Sequence, residues 1–180
     1  MWAVNAFEMM MPDVFSSEVV ALVDIGFKSS TISILANGGL ILSRVVAFGS
    51  DKLTAGLAEA MGVSYAEAEG IKVGLPEEVQ GAMGGLITPL GRELRASIDF
   101  FEHQQDKTVS QVFVSGGSAR SPFIVESLQS ELMVPSQPWN PTSFMQISLP
   151  PQQRADLDQS APQLTIAVGV AALSPPPLPS

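Results

Sequence analysis

Asp24, Gly26, Ser29 and Ser30 stand within the run Asp24-Ile25-Gly26-Phe27-Lys28-Ser29-Ser30-Thr31, between two stretches rich in β-branched residues. A carboxylate at a strand end, then glycine, then hydroxyls, makes a tight turn with free backbone N–H groups. Such a turn can hold phosphate oxygens while the carboxylate reaches a phosphate-bound Mg²⁺ directly or through water. Lys28 can add a point charge. The same residues also suit an ordinary hairpin turn in which Asp24 accepts hydrogen bonds from the Ser29 and Ser30 amides. The run alone does not separate the two.

A second constellation is Val112-Phe113-Val114-Ser115-Gly116-Gly117-Ser118-Ala119-Arg120-Ser121-Pro122. Paired glycines after a buried strand let the backbone approach a flat ligand closely, and Arg120 can lay its guanidinium on a base. A helix N-terminus at Ser121 faces the same spot and favours an anion. A plain strand-to-helix loop with a solvated Arg120 fits equally well. It is not a P-loop, because no Gly-Lys-Ser/Thr follows, and it lacks the third glycine of a dinucleotide fingerprint.

Glu69 and Lys72 are three apart on one predicted helix face. Alone they read as a surface ion pair contributing about 0.2–0.5 kcal/mol, unless that face meets a ligand. His103 is the one histidine and lies in a polar helix end, where solvation is expected; with no cysteine present, a catalytic triad and a His/Cys metal site are excluded. Trp2 and Trp139 read as packing residues.

The elements that must position these groups follow from periodicity and punctuation. Trp2 to Met10 reads as a short helix ended by Pro12. Glu18 to Asp24 is a buried strand, Ser30 to Leu35 a second, and Asn37-Gly38 turns the chain into the returning strand Leu40 to Phe48. Ser50 or Asp51 is available to cap a helix that Gly62 stops. Ser64 and Glu67 form a capping box for Tyr65 to Lys72. Val79, Met83, Ile87, Leu90, Leu94, Ile98 and Phe101 mark one face of a long helix, with a break or bend expected near Pro89. Val109 to Ser115 is a further buried strand, and Ser121-Pro122 opens a helix to about Met133. Pro135 to Pro151 is expected to hold one short extended piece at most. Pro162 opens a last helix, Gln163 to Leu173, before an extended or disordered Pro-rich tail, Ser174 to Ser180. The order is that of an α/β fold.

Composition narrows the function. In 180 residues, 46 % are apolar and 15 % charged, which suits a packed core and argues against disorder. The net charge of −9 opposes nucleic acid and anionic lipid as general partners. No apolar run approaches the roughly 20 residues that span a bilayer, so membrane contact is expected only through partners.

Taken in order, Asp24-Ile25-Gly26…Ser30, the hairpin, Glu69-x-x-Lys72 and Gly116-Gly117-Ser118-Ala119-Arg120 resemble the second half of the actin-like ATPase superfamily. There the first motif is the second phosphate loop, the Glu and Lys reach the ribose or base, and the Gly-Gly-Ser-x-Arg loop is the adenosine motif. The resemblance therefore implies that Asp24, Gly26, Ser29 and Ser30 face phosphate or Mg²⁺, Asp24 being the metal-facing group. Glu69 and Lys72 would face the ribose; Gly116, Gly117, Ser118 and Arg120 would face the adenosine of ATP.

The flanking text is similar to the PilM family of type IV pilus assembly proteins. Asn5-Ala6-Phe7-Glu8, Val63-Ser64-Tyr65-Ala66-Glu67-Ala68-Glu69, Arg92-Glu93-Leu94-Arg95-Ala96-Ser97-Ile98-Asp99-Phe100-Phe101 and Ala161-Pro162-Gln163-Leu164-Thr165-Ile166-Ala167-Val168-Gly169 carry it. That resemblance implies an actin-like, ribonuclease H-like α/β ATPase domain, second half only, with a mixed sheet flanked by helices. Residues 1–15 would trail from an earlier half; 16–62 and 105–173 would form the sheet subdomain; 63–104 would be an inserted helical subdomain, and 174–180 the tail. It implies a scaffold in pilus biogenesis, cytoplasmic and peripheral to the bacterial inner membrane, meeting PilN-like platform proteins through the earlier half. Without that half, the chain is expected to bind ATP weakly and to hydrolyse it no faster than buffer. The alternative is an FtsA-like cell-division protein or another actin-like ATPase or kinase fragment. An FtsA-like chain would end in a basic amphipathic membrane helix rather than Ser-Pro-Pro-Pro-Leu-Pro-Ser, and a sugar or acetate kinase needs an acceptor loop and a catalytic acid that this sequence lacks.

Overall fold

A computed structural model of the protein describes residues 2–74, 76–142 and 150–171. The side chain of Trp2 and the tail 174–180 lie outside the described residues. Among those described, five strands form one mixed sheet in the order β3-β2-β1-β4-β5. β1 (Val20–Ile25), β2 (Ser30–Ala36) and β3 (Gly39–Val46) are antiparallel neighbours. β4 (Gln111–Ser115) lies parallel to β1 on its other side, and β5 (Ser136–Pro138) lies parallel to β4. The Asn37-Gly38 turn has positive φ at both residues, 54° and 70°, as a two-residue hairpin requires.

Alternation along the strands divides the interior in two. Ala21, Val23, Ile25, Ile32, Ile34, Val112 and Val114 face one core. It is filled from α3 (Ser50–Met61), α4 (Tyr65–Gly74), α5 (Glu77–Gln105) and α6 (Pro122–Leu132). Val20, Leu22, Leu35 and Phe113 face the other, against α1 (Trp2–Met10) and Phe15 of α2 (Pro12–Ser17). There Phe7 packs its ring 4.9 Å from Phe113 and 5.5 Å from Trp139. Residues 63–104, expected as an inserted helical subdomain, bury Ala68 and the apolar stripe of α5 in the same core as the sheet.

All seven stripe residues of α5 are buried, and the helix runs unbroken through Pro89, so the break allowed by the sequence does not occur. Proline costs a helix one hydrogen bond and a clash with the carbonyl four residues back; the residue four back is Gly85, and the buried stripe outweighs the loss. Arg95 fastens α5 to the end of α6 by donating to the Leu132 carbonyl at 2.7 Å, and it pairs with Asp99 and Glu102 of its own helix. The Ser64–Glu67 capping box forms as expected, and its bonds hold the Glu67 carboxyl below its ordinary range.

Other boundaries differ. Gly49, not Ser50 or Asp51, is the N-cap of α3, because the Asp24 turn supplies backbone acceptors to the first amides. α2 and α7 (Pro151–Ser160) are helices the sequence did not announce; both start at a proline, and α7 has almost no apolar face. The last helix, α8 (Thr165–Ala171), begins two residues later than expected, after a 3₁₀ turn Ala161–Leu164. Among the described residues, no helix is long and apolar enough to cross a membrane.

Candidate functional site

The parallel pairing of β1 with β4 puts their C-terminal ends side by side. Loops leaving such ends meet at one sheet edge, the usual ligand position in α/β folds. Asp24 and Ser115 are register partners there, and Ser115 Oγ donates to Asp24 Oδ1 at 2.9 Å. The carboxylate turn and the diglycine bend therefore share one end of the sheet.

Glycine lets these loops close on each other. Gly116 has φ +93°, and a Cβ there would lie 2.2 Å from the Ile25 carbonyl oxygen; its N–H donates to the Pro162 carbonyl at 2.7 Å. A Cβ on Gly49 would lie 2.3 Å from the Phe27 carbonyl oxygen. The Ser50 and Asp51 amides, first in α3, donate to the Gly26 and Phe27 carbonyls at 2.9 Å each. Four segments distant in sequence are thus drawn into one rigid corner.

A cleft opens beside that corner. One hollow, about 300 Å³, is lined by Asp24, Gly26, Phe27, Gly116 and Ile166 among others. A second, about 200 Å³, is lined by Glu69, Lys72, Ser118, Arg120, Ser121 and Ile124 among others. Ser50, Gly117 and Gln163 line both, so the two adjoin.

Eight of the ten candidate residues line this cleft: Asp24, Gly26 and Gly116 at one end, Glu69, Lys72, Ser118 and Arg120 at the other, and Gly117 between. Ser29 and Ser30 do not. The Ser29 carbonyl accepts the Gly26 N–H, and the buried Ser30 donates its hydroxyl to the Phe48 carbonyl at 2.6 Å. Lys28 is turned to Asp51, 2.6 Å away, and Tyr65 donates to the same carboxylate. Those two bonds, Lys28's first, lower the Asp51 pKa.

The Glu69–Lys72 pair is more than a surface ion pair. Lys72 is buried and donates to Thr54 Oγ1 at 2.7 Å and to Glu69 Oε2 at 2.8 Å, while Thr54 donates to Glu69 at 2.6 Å. Burial pushes the Glu69 pKa up, but the bonds from Lys72 and Thr54 more than offset it, so the carboxyl sits below its ordinary value.

Two residues that line the cleft carry groups with unused capacity. The Ser118 hydroxyl is fully buried and has no hydrogen-bond partner among the described residues, an arrangement that native proteins rarely tolerate. Arg120 is exposed and makes no ion pair there among the described residues. Asp24 is the one carboxylate of its hollow, and no group of three His, Cys, Asp or Glu able to hold a metal occurs among the described residues. A cation at Asp24 would therefore have to arrive with a ligand supplying further oxygens, as Mg²⁺ does with phosphates. Ser50, Thr54, Ile124, Gln163 and Ile166 escaped the sequence reading as site residues. Their signals, a helix start after Gly49 and Pro162 before an apolar helix, announce secondary structure rather than a ligand.

The family model described as type IV pilus assembly protein PilM matches residues 1–174. Among solved structures, the fold is similar to a PilM–PilN type IV pilus biogenesis complex, with a TM-score of 0.79, 20 % identity and 96 % of this chain covered. This chain spans about half of that one, 52 %. It is also similar to the ethanolamine utilization protein EutJ from Carboxydothermus hydrogenoformans, with a TM-score of 0.63 at 18 % identity, covering 96 % of this chain and 53 % of that one. The MreB 5 protein of Spiroplasma citri bound to AMPPNP gives a TM-score of 0.67 at 10 % identity, covering 94 % and 56 %.

Proposed function

The chain belongs to the type IV pilus assembly protein PilM family and has an actin-like fold, and from this premise we propose that it is an ATP-binding half of a pilus assembly scaffold. The observation that carries the proposal is that eight of the ten candidate residues, from Arg120, which makes no ion pair among the described residues, to Asp24, line two adjoining hollows at one end of the sheet. The base lies against Ile124 with the Arg120 guanidinium available to stack on it. The ribose hydroxyls meet the Glu69–Lys72–Thr54 cluster, and the phosphates extend toward Asp24. Mg²⁺, when bound, neutralises phosphate charge, and Asp24 is the residue that would hold it, directly or through water. Ser29 and Ser30 support the turn from behind rather than touching phosphate. Binding of a nucleotide by the similar MreB 5 protein supports the reading.

One wall binds and orients; phosphoryl transfer also needs transition-state contacts from a facing wall. The 180-residue chain therefore binds ATP weakly and hydrolyses it no faster than buffer. In a whole PilM-type protein the bound nucleotide serves structure or switching. Such a scaffold works in the cytoplasm, peripheral to the inner membrane, with PilN-like proteins as partners through the other half, a reading that the similar PilM–PilN complex supports.

Calorimetric titration of a PilM-length protein containing this chain tests the proposal. ATP with Mg²⁺ binds, and Arg120→Ala weakens binding about two- to tenfold, the scale of a lost cation–π stack at a partly exposed site. No heat and no thermal shift with saturating ATP would remove the assignment.

A further inference from the structure

We propose that Gln163 is a nucleotide-positioning residue that holds the junction between the nucleoside and its first phosphate; this rests on the ATP-binding reading above. Gln163 is one of three residues that line both hollows, and the other two, Ser50 and Gly117, bring no long side chain. Gln163 is exposed, and its carboxamide makes no hydrogen bond among the described residues. It also lies across the diglycine bend: a Cβ on Gly117 would be 3.6 Å from Gln163 Nε2. A ligand reaching from Arg120 to Asp24 must pass this point.

The backbone beneath Gln163 is fixed. Ala161 and Pro162 are buried, and the Pro162 carbonyl accepts from the Gly116 N–H at 2.7 Å and from Thr165 Oγ1 at 3.2 Å. The side chain therefore starts from a rigid base tied to the same bend that carries Ser118, which is what a positioning group needs. A carboxamide suits this place because it donates to a phosphate or ribose oxygen through its NH₂ and accepts from a ribose hydroxyl through its oxygen. It adds no charge to compete with Arg120 or Asp24. A carboxylate here would repel phosphate and leave an uncharged nucleoside almost untouched.

The test compares adenosine, AMP and ATP on a PilM-length protein carrying Gln163, Gln163→Glu or Gln163→Leu. Neither substitution touches the bond from Gly116 to Pro162, and matching melting curves check that the fold is kept. Gln163→Glu weakens AMP and ATP about tenfold, the order of repulsion between unit charges a few ångströms apart in a solvated cleft, and changes adenosine less than about twofold. Gln163→Leu weakens AMP about three- to fivefold, the loss of one or two hydrogen bonds. An unaltered protein that binds AMP, with Gln163→Glu leaving AMP unchanged or weakening adenosine equally, overturns this assignment alone. An unaltered protein that binds none of the three overturns the ATP-binding reading and this inference with it.

Discussion

Asp24 and Ser115 face each other across the parallel pair β1 and β4, joined by a 2.9 Å hydrogen bond from the Ser115 hydroxyl to the Asp24 carboxylate. Ninety-one positions separate them in the chain. The bond occupies one carboxylate oxygen and fixes the direction of the other. Ser115→Ala is expected to lower stability by about 1 kcal/mol, seen as roughly 2–4 °C in Tm. Asp24→Ala should cost more Mg²⁺-ATP affinity than Ser115→Ala does, because it removes the charge and not merely its orientation. Titration of both variants at fixed Mg²⁺ checks the order, and equal affinities for Asp24→Ala and the unaltered protein would mean that the carboxylate does not face the ligand.

Gly116→Ala is the substitution the corner should tolerate least. The backbone there has φ +93°, and the added carbon would lie 2.2 Å from a main-chain oxygen, which cannot rotate away as a side chain could. Strain at such a position costs about 1–3 kcal/mol before the clash is counted, so a loss of roughly 2–4 kcal/mol and 4–16 °C in Tm is expected. Thermal unfolding of the variant measures it directly. Gly62→Ala makes a useful comparison, since it has positive φ but nothing within 4 Å of its Cβ.

Much of this corner was legible in the sequence because its parts are local. Asp24 ends a valine-rich strand, Gly116-Gly117 ends another, and α/β topology brings parallel strand ends together. Asn37-Gly38 marks its turn for the same reason: the residue types answer to backbone angles within a few positions. The Glu69–Lys72 pair was readable as a pair but not as a buried cluster, because Thr54 joins it from another helix, fifteen positions before Glu69. The resemblance gives Ser30 a phosphate-facing role, but its hydroxyl donates to the carbonyl of Phe48, a partner that the hairpin brings near and that no local motif announces. Gln163 carries no local mark of its role. Its place at the cleft follows from the tertiary bond between Gly116 and Pro162.

β3 is the edge strand of the sheet next to β2, and it exposes Leu40, Ile41 and Val45, the last at 66 %. Unpaired backbone groups beside apolar side chains form a template for another strand unless a charge interrupts them. Arg44, the charge available, is engaged with Glu93 at 2.6 Å. Val45→Lys is therefore expected to reduce concentration-dependent self-association without moving Tm by more than about 1–2 °C, since surface changes fall within roughly ±0.5 kcal/mol. Sedimentation velocity over a concentration series separates the two proteins. Identical profiles would show that the edge is not adhesive.

The Thr54–Glu69–Lys72 cluster makes a prediction about acid. Burial alone would raise the Glu69 pKa above its ordinary 4.5, and the bonds from Lys72 and Thr54 reverse that into a net depression. A carboxyl with a folded pKa below its unfolded one stabilises the fold above the unfolded value, and that contribution disappears as pH falls through the folded value. Thr54→Val removes one of the donors responsible. Because the Glu69 side chain is 47 % exposed, solvent screens the interaction, and the loss near neutral pH should be modest, about 0.5–1 kcal/mol. Melting curves from pH 7 to 3 should show the variant below the unaltered protein at neutral pH, with the gap closing as pH drops below about 4.5. A gap that stayed constant down to pH 3 would mean that Glu69 is protonated in the fold already, and one that widened would mean that the Thr54 bond favours the protonated carboxyl.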